Sequence, residues 1–209
     1  MADWTQGITH NVGDLFTAAD WNTYVRDNTP WFDWKATTKT VTSTVTETDL
    51  FNAEINIPAS QTGTMQRLDG WADIDIKNNT GAAVNCPRFK LKFDGTALLD
   101  TGALAGTPIA ASATRGAGQI FFTIKQKDNA AAQEITMWGV IVDGAKANFT
   151  TGSGVYSILG TSSGEMFHGR NTGNVNMTSA RALSLTVINP SSSGSYETVL
   201  YAAHVSVGI

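Results

Sequence analysis

The chain has 209 residues, 42% of them hydrophobic and only 15% charged, with a formal net charge of −4. That length accommodates one β-domain with an appended arm, or two small domains, and the charge lies well below the average of about 25%. The composition excludes a nucleic-acid binder working through a basic stripe, because no Lys/Arg cluster occurs, and a membrane-spanning helix, because no apolar run approaches about 18 residues.

The missing charge is replaced by Thr, Ser, Gly, Asn and Ala, a balance that suits a β-rich protein partly covered in an assembly. The N-terminal stretch MADWTQGITHN lacks the basic start and apolar run of a secretory signal, so a soluble protein made in a cytoplasm is expected. The single cysteine, Cys86, excludes an intrachain disulfide. Its place before Pro87, at the start of an alternating run, marks a buried structural thiol.

In chain order, the stretch Gly13 to Trp34, GDLFTAADWNTYVRDNTPWFDW, has a helical pattern. Thr17 is placed as an N-cap with Asp20 three residues on, close to a capping box, and Phe16 and Trp21 flank the cap as a hydrophobic staple. Trp21, Tyr24 and Val25 form one apolar stripe, and Pro30 ends the helix or starts a second short one. So short a helix is marginal alone, so its aromatic face must rest on something. With Trp31, Phe32 and Trp34 following, the segment either closes the core of the next domain or docks on a partner chain, with Arg26 beside the stripe.

Thr- and Val-rich residues 36–47 favour a strand or extended linker. Leu50 to Ile57 places Ala53, Ile55 and Ile57 on one face. Residues 63–79 hold the clearest half-buried strand: Leu68, Gly70, Ala72, Ile74 and Ile76 share one face, and Arg67, Asp69, Trp71, Asp73 and Asp75 the other. Phe89, Leu91 and Phe93 alternate inward, Asp94-Gly95 signals a hairpin, and Thr96 to Asp100 returns.

Gly102 to Gly118 reads as a long loop. Gln119 to Lys127 and Gln133 to Asp143 read as strands, whereas Gly144 to Ser179, cut by glycines, reads as a loop excursion of the kind kept for a contact, with Val155 to Leu159 a candidate strand inside it. Ala182 to Ile188 places Leu183, Leu185 and Val187 on one face, and Val199, Tyr201, Ala203, Val205 and Val207 make the last strand. Eight or nine strands over residues 40 to 209 predict a mainly β protein, an antiparallel sandwich of jelly-roll type. The predicted organisation is an attachment arm with one or two short helices over residues 1–36 and a β-sandwich over 37–209.

No nucleophile elbow, phosphate loop or metal-binding histidine spacing is present, and His10, His168 and His204 lie far apart. No catalysis, metal or cofactor is expected. Asp73 and Asp75 face the same way and could hold a hard cation or act as an acid and base on a glycan, although such pairs are usually the solvated face of a strand. Trp71 on the same face, and Trp138, suit a sugar-binding surface or an oligomer interface, and the interface is the preferred reading.

Gly13, Asp14, Phe16, Thr17, Ala18, Ala19, Trp21, Asn22, Thr23, Val25, Arg26, Asp27 and Asn28 fit a form that resembles a segment near the N-terminus of many tailed-bacteriophage virion proteins. The resemblance covers about the first 30 residues. It implies a structural, commonly trimeric protein whose jelly-roll domain follows an attachment arm, with the partner interface at Phe16, Trp21, Tyr24, Val25, Arg26, Trp31, Phe32 and Trp34. The expected partners are further copies of the chain and other virion proteins, major capsid protein or tail proteins, with assembly in the host cytoplasm. A head decoration protein is favoured over a tail-associated fibre or receptor-binding protein, because the chain is short for a fibre and has no heptads or collagen-like repeats. A carbohydrate-binding β-sandwich, with Trp71, Asp73 and Asp75 as its site, is the non-viral alternative.

Overall fold

The computed structural model describes residues 31–59, 67–102, 104, 108–127, 131–142 and 164–208. Expectations that fall on residues 1–30, the helical arm with Phe16, Trp21, Tyr24, Val25 and Arg26 included, lie outside the described residues, as does the candidate strand at Val155 to Leu159. Among the described residues there is no helix.

The protein is an antiparallel β-sandwich. The larger sheet contains β1 (Phe32–Lys35), β2 (Lys39–Thr42), β5 (Arg67–Asn78), β8 (Gly116–Gln126), β9 (Gln133–Val142), β10 (Gly164–Gly173) and β12 (Tyr196–Gly208). The smaller contains β3 (Thr48–Asp49), β4 (Ile55–Ile57), β6 (Arg88–Phe93), β7 (Thr96–Asp100) and β11 (Arg181–Ile188). Across the larger sheet the order is β1-β12-β5-β8-β9-β10, with β2 also on β12; across the smaller it is β3-β11-β6-β7, with β4 also on β11.

Alternation explains why these segments are strands: every second side chain enters the space between the sheets. Leu68, Ala72, Ile74 and Ile76 from β5 and Ile120, Phe122 and Ile124 from β8 meet Phe89, Leu91 and Phe93 from β6 and Leu183, Leu185 and Val187 from β11, all buried. Each such side chain contributes about 1.5–3 kcal/mol on burial, which offsets the ordering of the chain. Cys86 is buried in the same core. Two inward glycines make room for aromatic rings on neighbouring strands. Gly70 stands opposite Phe122 and Gly139 opposite Phe167, and a Cβ built at either position would lie 2.1 Å or 2.5 Å from the facing ring.

The structure corrects the sequence reading in several places. Twelve strands are present among the described residues where eight or nine were expected over residues 40 to 209, because β1 precedes that range, the two residues of β3 leave no periodic signal, and β10 falls in the segment read as a loop. Residues 116–118 open β8 instead of ending a loop, and residues 164–173, placed inside a loop excursion, pair over their whole length with β9. Ala53 is exposed, since Asn52 has φ 63° and turns the chain before β4 begins. Phe32 to Lys35, assigned to the arm, pair with Ser206 to Ala203 of β12, so the sheet starts before residue 37. Trp31, also assigned to the arm, packs against the core of the sandwich, and its carbonyl accepts from the Val207 N–H at 2.9 Å.

The two outer faces differ in chemistry. On the smaller sheet, Lys90 and Lys92 each reach Glu47 at 2.6 Å, Thr186 donates to the same carboxylate at 3.1 Å, and Arg88 pairs with Asp100. These contacts, with the Lys90 bond the largest, lower Glu47 from 4.5 to about 2. The Asp94-Gly95 hairpin between β6 and β7 has positive φ at both residues, 45° and 77°, as its turn type requires. The Asp94 carboxylate accepts from the Ala182 N–H at 2.9 Å and from Arg181 at 2.7 Å, tying the hairpin to β11.

Candidate functional site

The outer face of the larger sheet carries aromatic residues where the smaller sheet carries ion pairs. Residues directly opposite one another in antiparallel strands share a face. Following register from strand to strand gives Trp34 on β1, His204 on β12, Trp71 on β5, Phe121 on β8, Trp138 on β9 and His168 on β10, one continuous row across the sheet. Its rings touch in two groups. Trp34 lies 4.5 Å from His204 and 5.5 Å, edge-on, from Trp71, while Phe121 and Trp138 stack at 4.3 Å and 15°. Phe32 adds a ring 6.3 Å from His204.

Much of this surface is accessible. Phe32 is 59% exposed, Trp34 52%, Trp138 44%, and Met166 on β10, one row away, 56%. Of the residues read as a partner interface, Phe32 and Trp34 therefore belong to the sheet's outer face, whereas Trp31 turns into the core.

Beside the row lies a trough of about 590 Å³, lined among others by Asp73, Asp75, Arg115, Ala117, Gln119, Val140 and Tyr201. Ala117 is the small outward side chain of β8 here, whereas Gly116 and Gly118 on either side of it face the core. Asp73, Gln119 and Val140 are each two residues from Trp71, Phe121 and Trp138, so trough and aromatic row are about 7 Å apart along the strands.

One edge of the trough is a fixed polar network. Arg115 donates to Asp75 at 3.1 Å and also pairs with Glu197, which Lys77 approaches at 3.5 Å. The Tyr201 hydroxyl donates to the other Asp75 oxygen at 2.7 Å. That bond, with burial adding to it, raises the Tyr201 phenol above its ordinary range, so it remains a proton donor. Asp75 is consequently buried, at 7% exposure, and not part of a solvated stripe; both its oxygens are engaged, which removes it as a cation ligand or a free acid. Asp73 differs. One oxygen accepts from Gln119 at 2.8 Å, and the other has no hydrogen bond among the described residues.

Tyr201 reaches Asp75 because β12 carries a bulge. Register with β5 slips between Leu200 and Ala202, so Leu200 and Ala203 both point inward and Tyr201 turns out, 46% exposed. Without the bulge, alternation would turn Tyr201 to the same side as Ala203. Trp71, Asp73 and Asp75 do share an outward face as expected. Phe121, His204, Arg115, Gln119 and Tyr201 were not singled out from sequence, for their role depends on which strands become neighbours. Among the described residues no group of three or more His, Cys, Asp and Glu is arranged to hold a metal ion.

No family model matches the chain, and no curated protein does. Solved structures with some likeness include basic winged bean lectin with Tn-antigen, at 8% identity and a TM-score of 0.38 over 86% of this chain and 99% of that one. Another is peanut lectin with a nine-residue peptide, at 6% identity and a TM-score of 0.32 over 87% of this chain and 93% of that one. Likeness at this level carries no information on what this chain binds.

Proposed function

We propose that the chain is a structural protein of a tailed-bacteriophage virion that acts by binding, without catalysis, and that it decorates and stabilises the head. The observation that carries this reading is the form of residues 13 to 28, from Gly13-Asp14 through Thr17-Ala18-Ala19 to Arg26-Asp27-Asn28. Supporting it, the strand orders β2-β12-β5-β8 and β4-β11-β6-β7 are those of an eight-stranded jelly roll, to which β9 and β10 add a hairpin at one side. Residues 1–30 form the attachment element in this reading, with Phe16, Trp21, Tyr24 and Val25 buried against capsid protein or a neighbouring copy in a trimer. Assembly takes place in the host cytoplasm.

The test is co-sedimentation of the full-length chain with undecorated heads and, separately, with tails. Head binding that Trp21→Ala abolishes, with the thermal melt of the sandwich unchanged, is the expected result; binding to neither particle overturns the reading. A truncation at Thr37 is unsuitable because it removes β1 and Trp34 from the sheet. The second reading, a tail-associated receptor-binding protein, is favoured by the accessible aromatic row and trough, and binding to tails alone would select it.

A further inference from the structure

We propose that the trough and the adjoining Phe121–Trp138 stack form a binding site for a neutral saccharide. The proposal goes beyond the virion reading and holds for a head or a tail location alike.

Three features select this ligand class. The first is size: about 590 Å³ falls within the range of pockets that hold small ligands, room for one or two sugar rings. The second is the sense of its hydrogen-bonding groups. The free Asp73 oxygen and the Tyr201 hydroxyl oxygen can accept, as can the Gln119 carbonyl, whose amide nitrogen is already bonded to Asp73. A ligand that fits must donate several hydrogen bonds, as a polyol does.

The cation lining the trough, Arg115, is held by Asp75 and Glu197. An acidic ligand would therefore meet Asp73 without a compensating positive charge, which disfavours uronates, sialic acids and phosphates. The third feature is an accessible aromatic ring. Trp138 stacks one face on Phe121 at 4.3 Å and is still 44% exposed. The C–H face of a pyranose carries a slight positive charge and packs on the negative face of an aromatic ring, while its hydroxyls turn toward the polar edge. A peptide partner would use the aromatic surface equally well, but it would leave the acceptors of the trough partly unmatched.

Affinity electrophoresis tests this directly. The full-length chain is run in native gels cast with mannan, galactan or β-glucan, and in a gel cast with polygalacturonate. Retardation in at least one neutral gel and none in the acidic gel is expected. Asp73→Asn, which keeps shape, and Trp138→Ala, at an accessible position, should each weaken that retardation about tenfold. Val45→Ala, at an exposed residue outside the trough, should leave it unchanged. Unretarded migration in every neutral gel, equal retardation by polygalacturonate, or unchanged binding by both site variants overturns the proposal. Head and tail sedimentation of the same proteins reads the virion role separately, so failure of one does not imply failure of the other.

Discussion

Adding one methyl group at Gly70 should destabilise the sandwich, although Gly→Ala in a strand ordinarily helps. A Cβ at Gly70 would stand 2.1, 2.4 and 2.8 Å from three atoms of the Phe122 ring, where carbon atoms normally approach to about 3.5 Å. The ring must retreat by on the order of 1 Å, and Phe122 is buried on the same inner face as Leu68, Ile120 and Ile124, where close packing resists such a shift. Such overpacking costs about 1–3 kcal/mol. The stiffer alanine backbone returns up to about 1 kcal/mol, leaving a net loss of about 1–2 kcal/mol. For a chain of this size that lowers the melting temperature by about 2–8 °C. Scanning calorimetry or urea denaturation of Gly70→Ala in the natural background and in Phe122→Leu provides the measurement. If the contact is the cause, the smaller side chain should remove most of the penalty. A Gly70→Ala protein that melts higher than the original, or an equal penalty in both backgrounds, would refute the reasoning.

Glu47, lowered from 4.5 to about 2 by Lys90 and Lys92, links stability to acid. A depressed carboxylate stabilises the fold fully above its unfolded value and loses that contribution as pH falls from about 4.5 through about 2. With a quarter of the side chain exposed, solvent screening reduces the effect to about 1 kcal/mol. Glu47→Gln should therefore be less stable than the original at neutral pH and equal to it near pH 2, as read by urea titrations across that window. Tyr196→Phe should stabilise by about 1 kcal/mol, because the buried Tyr196 hydroxyl has no hydrogen-bond partner among the described residues; a lower midpoint in urea would show that the hydroxyl is satisfied.

The strands with strict alternation were legible, β5 and β6 above all, since a period of two maps directly onto two faces. So was the Asp94-Gly95 turn, whose residue types leave few other conformations. β10 escaped because its own sequence, GEMFHGRNTG, alternates poorly, and its glycines suited a loop as well as a strand. What makes it a strand is the long edge of β9, a tertiary fact. The site was legible in part for the same reason. Trp71, Asp73 and Asp75 share a face by local geometry, but Phe121, Trp138 and His204 become their neighbours only through pairings among strands distant in sequence. The outward turn of Tyr201 needed a bulge, which no single-strand pattern announces.

The position of β12 also constrains how the protein is made. β12, the last strand among the described residues, is not an edge strand: it lies between β5 on one side and β1 and β2 on the other. Until residues 196–208 leave the ribosome, β5 lacks one of its two neighbours and the two N-terminal strands have no place in the larger sheet. The nascent chain thus presents unpaired strand edges and apolar residues throughout synthesis. Closure then depends on pairing residues 32–42 with residues 197–206, far apart in sequence, which places folding among the slow, non-local cases. High yield in a cell will depend on protecting that open sheet during translation, and a truncation that removes β12 will leave an aggregation-prone product instead of a slightly shortened domain.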